Sequence, residues 1–312
     1  MRVDNVHTHS HHHSMTLSRL KWALILTIAI FVVEFLGALV SGSLSVLSNA
    51  VHLLSDVGAM GLAYYAARVE TNPPTLQLSY GYARSSILAS LINSLILALL
   101  ALGLIVAGLY RLLRPAPLMA TSLIWLGLLA LLFNILVTGL LAGGQSRDLN
   151  IRTMFWHAAG DAIGSLSVAL SGLLIIWTHW SGFDALAGIA IGITLLIAAL
   201  RIIRRSVNIL MEGTPPEIEP AAIEDALLAL SGVHEVHHLH IWALGSNYNL
   251  LSAHILIDDV SLHEGQETLA AIARHLQHHF PIHHVTIQLE TDHHDDVTED
   301  CHPFSPGTPP QT

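Results

Sequence analysis

The chain has 312 residues, of which 52% are hydrophobic and 12% charged, and its formal net charge is −10. Its mean hydropathy is +0.57. Soluble domains carry roughly a quarter charged residues, so the composition argues against an ordinary soluble fold, and the excess of acid argues against nucleic acid as a partner. The single cysteine, Cys301, excludes a disulfide within the chain.

Residues 1–18 are polar, carry His7, His9, His11, His12 and His13, and read as a disordered tail. Such a tract can bind metal weakly, and it lacks the apolar core of a signal peptide. Crossing a bilayer takes about 20 apolar residues. Six segments qualify, at about 22–41, 43–67, 82–110, 118–141, 152–178 and 183–206. This predicts a membrane domain of six helices over 19–212. Arg2, Arg19, Lys21, Arg68, Arg84, Arg147, Arg152, Arg201, Arg204 and Arg205 fall on one side of the six spans, and only Arg111 and Arg114 on the other. That bias places both termini in the cytoplasm. Gly188 and Gly192 in the last span form a small-xxx-small pair suited to close helix packing.

The segment 213–216 reads as a linker into a soluble part that holds sixteen Asp and Glu from Glu212 onward against one arginine, Arg274. Apolar spacing predicts a helix over 217–231, strands over 235–243 and 248–257, a helix over 262–279 and a strand over 283–290. The order αββαβ makes a small α/β domain over 213–291, its two helices covering one face of the sheet. Period two places His238 and His240 on one face of the first strand and His237 off it. Residues 292–312 read as a second disordered tail.

The chemistry lies in the spans. An unpaired aspartate in hydrocarbon is costly, yet Asp56 and Asp161 lie inside the second and fifth spans. Each has a histidine four residues earlier, His52 and His157. That spacing puts both side chains on one helix face. Two imidazoles and two carboxylates suit a tetrahedral zinc ion, and a divalent cation would offset both negative charges. A helix-bound hydrogen bond or a proton relay is the plainer alternative. Asn49, Ser55, Ser165 and Glu34 are read as lining or packing residues. In the soluble part, imidazoles near carboxylates at strand ends can also bind zinc.

At these residues the chain resembles the cation diffusion facilitators over roughly 17–291. GSLSVLSNAVHLLSD (42–56) and HAAGD (157–161) resemble that family's signatures in the second and fifth spans, and HHLHIW (237–242) with LLSAHI (250–255) resembles the start of its cytoplasmic domain. The resemblance implies zinc export driven by proton uptake, with His52, Asp56, His157 and Asp161 holding the transported ion. It implies a metallochaperone-like cytoplasmic domain that dimerises. It also implies a cytoplasmic site of His237, His254, His263 and Glu290, reduced to one ion because Gln288 stands where relatives have a histidine. Arg84 and Glu212 match a basic and an acidic residue that pair in relatives. The link between spans two and three has no histidine, so the metal site some members carry there is expected to be absent. The long histidine-rich loop of animal and plant members is also missing.

The expected protein is a zinc/proton antiporter working by alternating access, not an enzyme. It is expected to be a homodimer in the inner membrane of a bacterium, with zinc as transported substrate and possible regulatory ion. The histidines favour zinc over manganese or iron, leave cadmium, cobalt and nickel open, and leave a non-transporting metal sensor as a further alternative.

Overall fold

The structure is a computed structural model that describes residues 8–70, 72–115, 117–142, 149–245 and 248–291. The expected C-terminal tail, residues 1–7 of the N-terminal one, residues 143–148 and residues 246–247 lie outside the described residues.

Six helices are long and apolar enough to cross a membrane. They are α1 (Thr8–Ser41), α2 (Leu44–Glu70), α3 (Ser85–Leu113), α4 (Ala120–Ala142), α5 (Leu149–Thr178) and α6 (Gly182–Leu210). The expected spans agree with these bounds to within four residues at either end. The exception is the start of α1, which begins at Thr8, inside the stretch expected to be disordered. The sequence has no glycine or proline from Thr8 to Leu36, so nothing breaks the helix as it runs back from its apolar portion.

The chain divides into two compact units, one of residues 1–68 and 89–203, the other of residues 69–88 and 204–312. In the first, α1 and α2 are joined by a turn at Gly42, whose φ of 69° suits glycine. The N-terminus of α2 is capped from far along the chain. Asp184, in the first turn of α6, is fully buried. Its Oδ1 accepts hydrogen bonds from the hydroxyls of Ser43 and Ser45, each at 2.6 Å, and from the Ser45 amide at 3.1 Å. Its Oδ2 accepts one from the Leu44 amide at 2.7 Å. Arg111 lies 3.5 Å from the same carboxylate and donates to the Gly42 carbonyl. Free amides at a helix start favour a negative charge, and here that charge comes from α6.

Glycines set how closely the helices approach. A Cβ on Gly127 of α4 would come within 2.5 Å of the Ala169 backbone nitrogen on α5, and one on Gly172 of α5 within 2.9 Å of the Ala120 carbonyl on α4. Gly188 and Gly192 also sit at contacts, against Leu44 and Ile105, as their spacing suggests.

The second unit contains α7 (Pro220–Leu228), β1 (Val233–Gly245), β2 (Tyr248–Ile257), α8 (Leu262–His279) and β3 (His284–Glu290). Strand β2 is central, antiparallel to β1 and parallel to β3. This is the expected αββαβ order. Helix α7 is shorter than expected because Pro220 sits at its first turn, where it lacks nothing the helix uses. A capping box of Ser261 and Glu264 starts α8, and the Ser261 hydroxyl and amide hold the Glu264 carboxyl below its ordinary range. One core unites both helices with the sheet: Ile223 and Leu227 of α7, Ile272 and Leu276 of α8, and Leu251, Ala253, Ile255 and Ile257 of β2. Alternation along β2 therefore turns His254 to the opposite face. Arg84 and Glu212 form the expected ion pair, at 2.9 Å, tying the residue before α3 to the end of α6.

Gly127→Leu forces a side chain into backbone and is expected to destabilise the protein by about 1–3 kcal/mol, read as a lower melting temperature in detergent. Gly139→Leu on the same helix, where a Cβ has open space, is expected to leave the melt unchanged.

Candidate metal sites

Two groups of potential metal ligands stand out among the described residues, and each has its ligating atoms all within 4.8 Å of one another. The first lies between α2 and α5. His52 Nε2 is 2.9 Å from Asp161 Oδ1, and His52 Nδ1 is 3.7 Å from Asp56 Oδ2. One imidazole thus stands between a carboxylate of its own helix and one from the other. All three side chains are mostly covered, at 10–22% exposure. His157 is on α5 one helical turn before Asp161; its side chain lies outside the described residues.

The polar neighbours divide by role. Asn49 donates from Nδ2 to both carboxylate oxygens of Glu34, at 2.6 and 2.7 Å, and both residues are buried. Glu34 is thus engaged by an amide of α2 and is no member of the ligand group. Ser165 accepts from Asn134 of α4 at 2.9 Å and donates to the Asp161 carbonyl at 3.0 Å. That hydroxyl links the backbone carrying Asp161 to α4. Ser55 accepts from Asn93 of α3.

The second group lies on the sheet face turned away from α7 and α8. His237 and His254 are direct partners across β1 and β2, and Glu290 on β3 lies two residues along, on the same face, from Gln288, the partner of His254. His237 Nε2 is 3.0 Å from Glu290 Oε2, and His254 Nδ1 is 2.8 Å from Glu290 Oε1. Burial by itself would raise the Glu290 carboxyl. The charge and hydrogen bond of His237, the charge of His254 and the Gln288 amide outweigh it and hold the carboxyl below its ordinary range. His254 Nδ1 is buried and makes no aligned hydrogen bond despite its short distance to the carboxylate. A buried nitrogen left in that state beside a carboxylate fits a shared cation as third party. His263 is elsewhere: it is exposed on α8, 3.8 Å from Glu267.

Two features escaped the sequence reading. Asp184 gave only the signal of an acid at the head of an apolar run. His238 was placed off the face of His237 by strict alternation, but the β1–β2 register shifts between His237 and His240. The bulge brings the His238 ring to 5.2 Å from that of His237 and 5.0 Å from that of His254, centre to centre.

Two family profiles match the chain: the cation efflux transmembrane domain over residues 20–211, and the cation efflux protein cytoplasmic domain over residues 215–292. The chain belongs to the cation efflux family, the cation diffusion facilitators. The zinc transporter ZitB of Pectobacterium atrosepticum is 31% identical over 292 residues, covering 93% of this chain and 90% of that protein. The cadmium, cobalt and zinc/H(+)-K(+) antiporter of Bacillus subtilis is 32% identical over 289 residues, covering 92% and 93%. The zinc transporter ZitB of Escherichia coli is 31% identical over 291 residues, covering 91% and 92%. Members of the family are transporters rather than enzymes, and this member is a multi-pass membrane protein of divalent-metal efflux.

Replacing Asn49 with leucine removes the donors that meet the buried Glu34 carboxyl. It is expected to cost about 1–3 kcal/mol, the usual cost of a buried polar group left unmet. Adding Glu34→Met should recover part of that loss; thermal melts of the two variants in detergent measure the difference.

Proposed function

We propose that this protein exports zinc from the cytoplasm in exchange for protons, by alternating access around one ion held by His52, Asp56, His157 and Asp161. The observation that carries this reading is the contact of His52 with Asp161 across two helices, with Asp56 beside them. One nitrogen and two carboxylates, with a second histidine one turn from Asp161, form a donor set that suits zinc. The ion also neutralises negative charge that hydrocarbon disfavours.

Proton exchange follows from the same ligands. Binding requires neutral imidazole and ionised carboxylate, so metal affinity falls as they protonate. Imidazole titrates around 6.5, which lets a modest acidity outside the cell favour release. The name of the Bacillus subtilis relative, an antiporter with protons and potassium as counter-ions, supports exchange. The same name includes cadmium and cobalt, and that favours a second reading in which selectivity extends to those ions. Nickel has similar ligand preferences, whereas manganese and iron favour more oxygen than this set supplies.

The basic flanks of the spans support an orientation with both termini in the cytoplasm, in the inner membrane of a bacterium. The spans lie within 19–212 and the cytoplasmic domain is 213–291, with α1 running back to Thr8 ahead of the first span. In that domain His237, His254 and Glu290, with His263 as the more distant candidate, bind a single regulatory ion. The match to a dimerising cytoplasmic domain supports a homodimer.

Zinc flux into proteoliposomes, followed with an internal dye, tests the central claim. Asp161→Ala is expected to reduce flux at least tenfold, and wild-type flux is expected to rise with an opposing proton gradient. Wild-type flux in the Asp161→Ala variant would sink the site, and flux indifferent to the gradient would sink proton coupling. Equal rates with cadmium and cobalt would favour the broader selectivity.

A further inference from the structure

We propose that His238 is the fourth ligand of the cytoplasmic site, which makes it a closed cluster of three imidazoles and one carboxylate around a resident zinc ion. The proposal rests on the reading of His237, His254 and Glu290 as a metal site.

The first observation is the spacing of the rings. The centres of His237, His238 and His254 are 5.2, 5.3 and 5.0 Å apart, taken pairwise. Three imidazoles on a tetrahedral ion, with metal–nitrogen bonds of roughly 2.0–2.1 Å and a ring half-width of about 1.1 Å, have centres about 5.2 Å apart. The three rings thus have the separation that one ion imposes. Glu290, in reach of both His237 and His254, occupies the fourth corner. The nitrogens of His238 stand outside the tightest group, so binding requires this ring to turn about its Cβ–Cγ bond, a rotation that leaves its centre nearly in place.

The second observation is the backbone. His238 has φ of 50°, in the left-handed region that side chains other than those of Gly, Asn, Asp and His seldom adopt. It sits in the register shift between His237 and His240. A regular strand would send His238 to the helix-covered face. The bulge instead turns it beside His237, and bulges commonly re-aim a side chain towards a site. Backbone strain persists where its surroundings over-determine it, and a ligand is one such determinant.

A site with four protein ligands has no open position, the arrangement of structural rather than catalytic zinc. The ion in the cytoplasmic domain is therefore held in place and senses metal supply by its occupancy. It is not cargo passing to the spans.

Cobalt(II) tests this in the full-length protein carrying Asp161→Ala, which disables the site in the spans. Four-coordinate cobalt absorbs strongly in the visible, and six-coordinate cobalt weakly. With the cytoplasmic residues intact, the strong band is expected at stoichiometric cobalt, and His254→Ala is expected to abolish it. His238→Asn, a residue at home in the left-handed region, should weaken cobalt affinity by roughly tenfold or more and cut the band several-fold. His238→Gly, which has no strain at this φ, should do the same. If both His238 variants keep the band and the affinity while His254→Ala loses them, His238 is no ligand and the three-residue site stands. If His254→Ala changes nothing, the cytoplasmic metal site itself fails, and the proposal with it.

Discussion

A carboxylate that enters hydrocarbon must meet a partner there, because water is not present to solvate it. Three of the carboxylates in the spans, Asp184, Glu34 and Asp161, are met in three ways. Asp184 is saturated by two hydroxyls and two backbone amides with Arg111 alongside, so its charge is spread over fixed donors that belong to the fold. Glu34 is met by one amide group, from Asn49. Asp161 is met by an imidazole from another helix, a partner that can give up its place to an ion. The first arrangement holds a helix end in position. The last is exchangeable, and that difference separates scaffold from proposed site.

The packing supports the same division. Backbone meets backbone where α4 crosses α5 at Gly127 and Gly172, so these helices form a close pair with little room to slide. Asn134 of α4 reaches through Ser165 to the carbonyl of Asp161, which fixes that residue's backbone against the pair. Across the gap to α2, the His52 and Asp161 side chains meet directly. In the cytoplasmic domain both helices share one side of the sheet. The other side carries His237, His254, Gln288 and Glu290 on neighbouring strands, and that is where the histidines gather.

Much of this was legible in the sequence because it depends on periodicity and on improbable residues. The apolar runs marked the spans, and hydrophobic alternation marked the three strands. Two aspartates in apolar helices, each a turn after a histidine, marked the place where α2 and α5 meet. What escaped depends on distance along the chain or on local irregularity. The Asp184 cap joins residues about 140 apart, with no pattern linking them. His238 was misplaced because alternation assumes an unbroken register, and one bulge reverses the face of each residue until the register is restored. The start of α1 was misjudged for the opposite reason: polar histidines suggested disorder, but without a glycine or proline the helix continues through them.

The contact of His52 with Asp161 also measures separation. Their nitrogen and oxygen lie 2.9 Å apart. Around a tetrahedral ion with bonds of about 2.0 Å, the same two atoms would lie about 3.3 Å apart. At the proposed site, trading a proton for an ion here would therefore shift α2 from α5 by only a few tenths of an ångström, too little to move a helix by itself. Because α5 is tied to α4, even that displacement falls on a pair rather than on one side chain. The proposed site would then act as a gauge between the two helices: a separation much beyond a few tenths of an ångström would open its jaws and break the contact of His52 with Asp161.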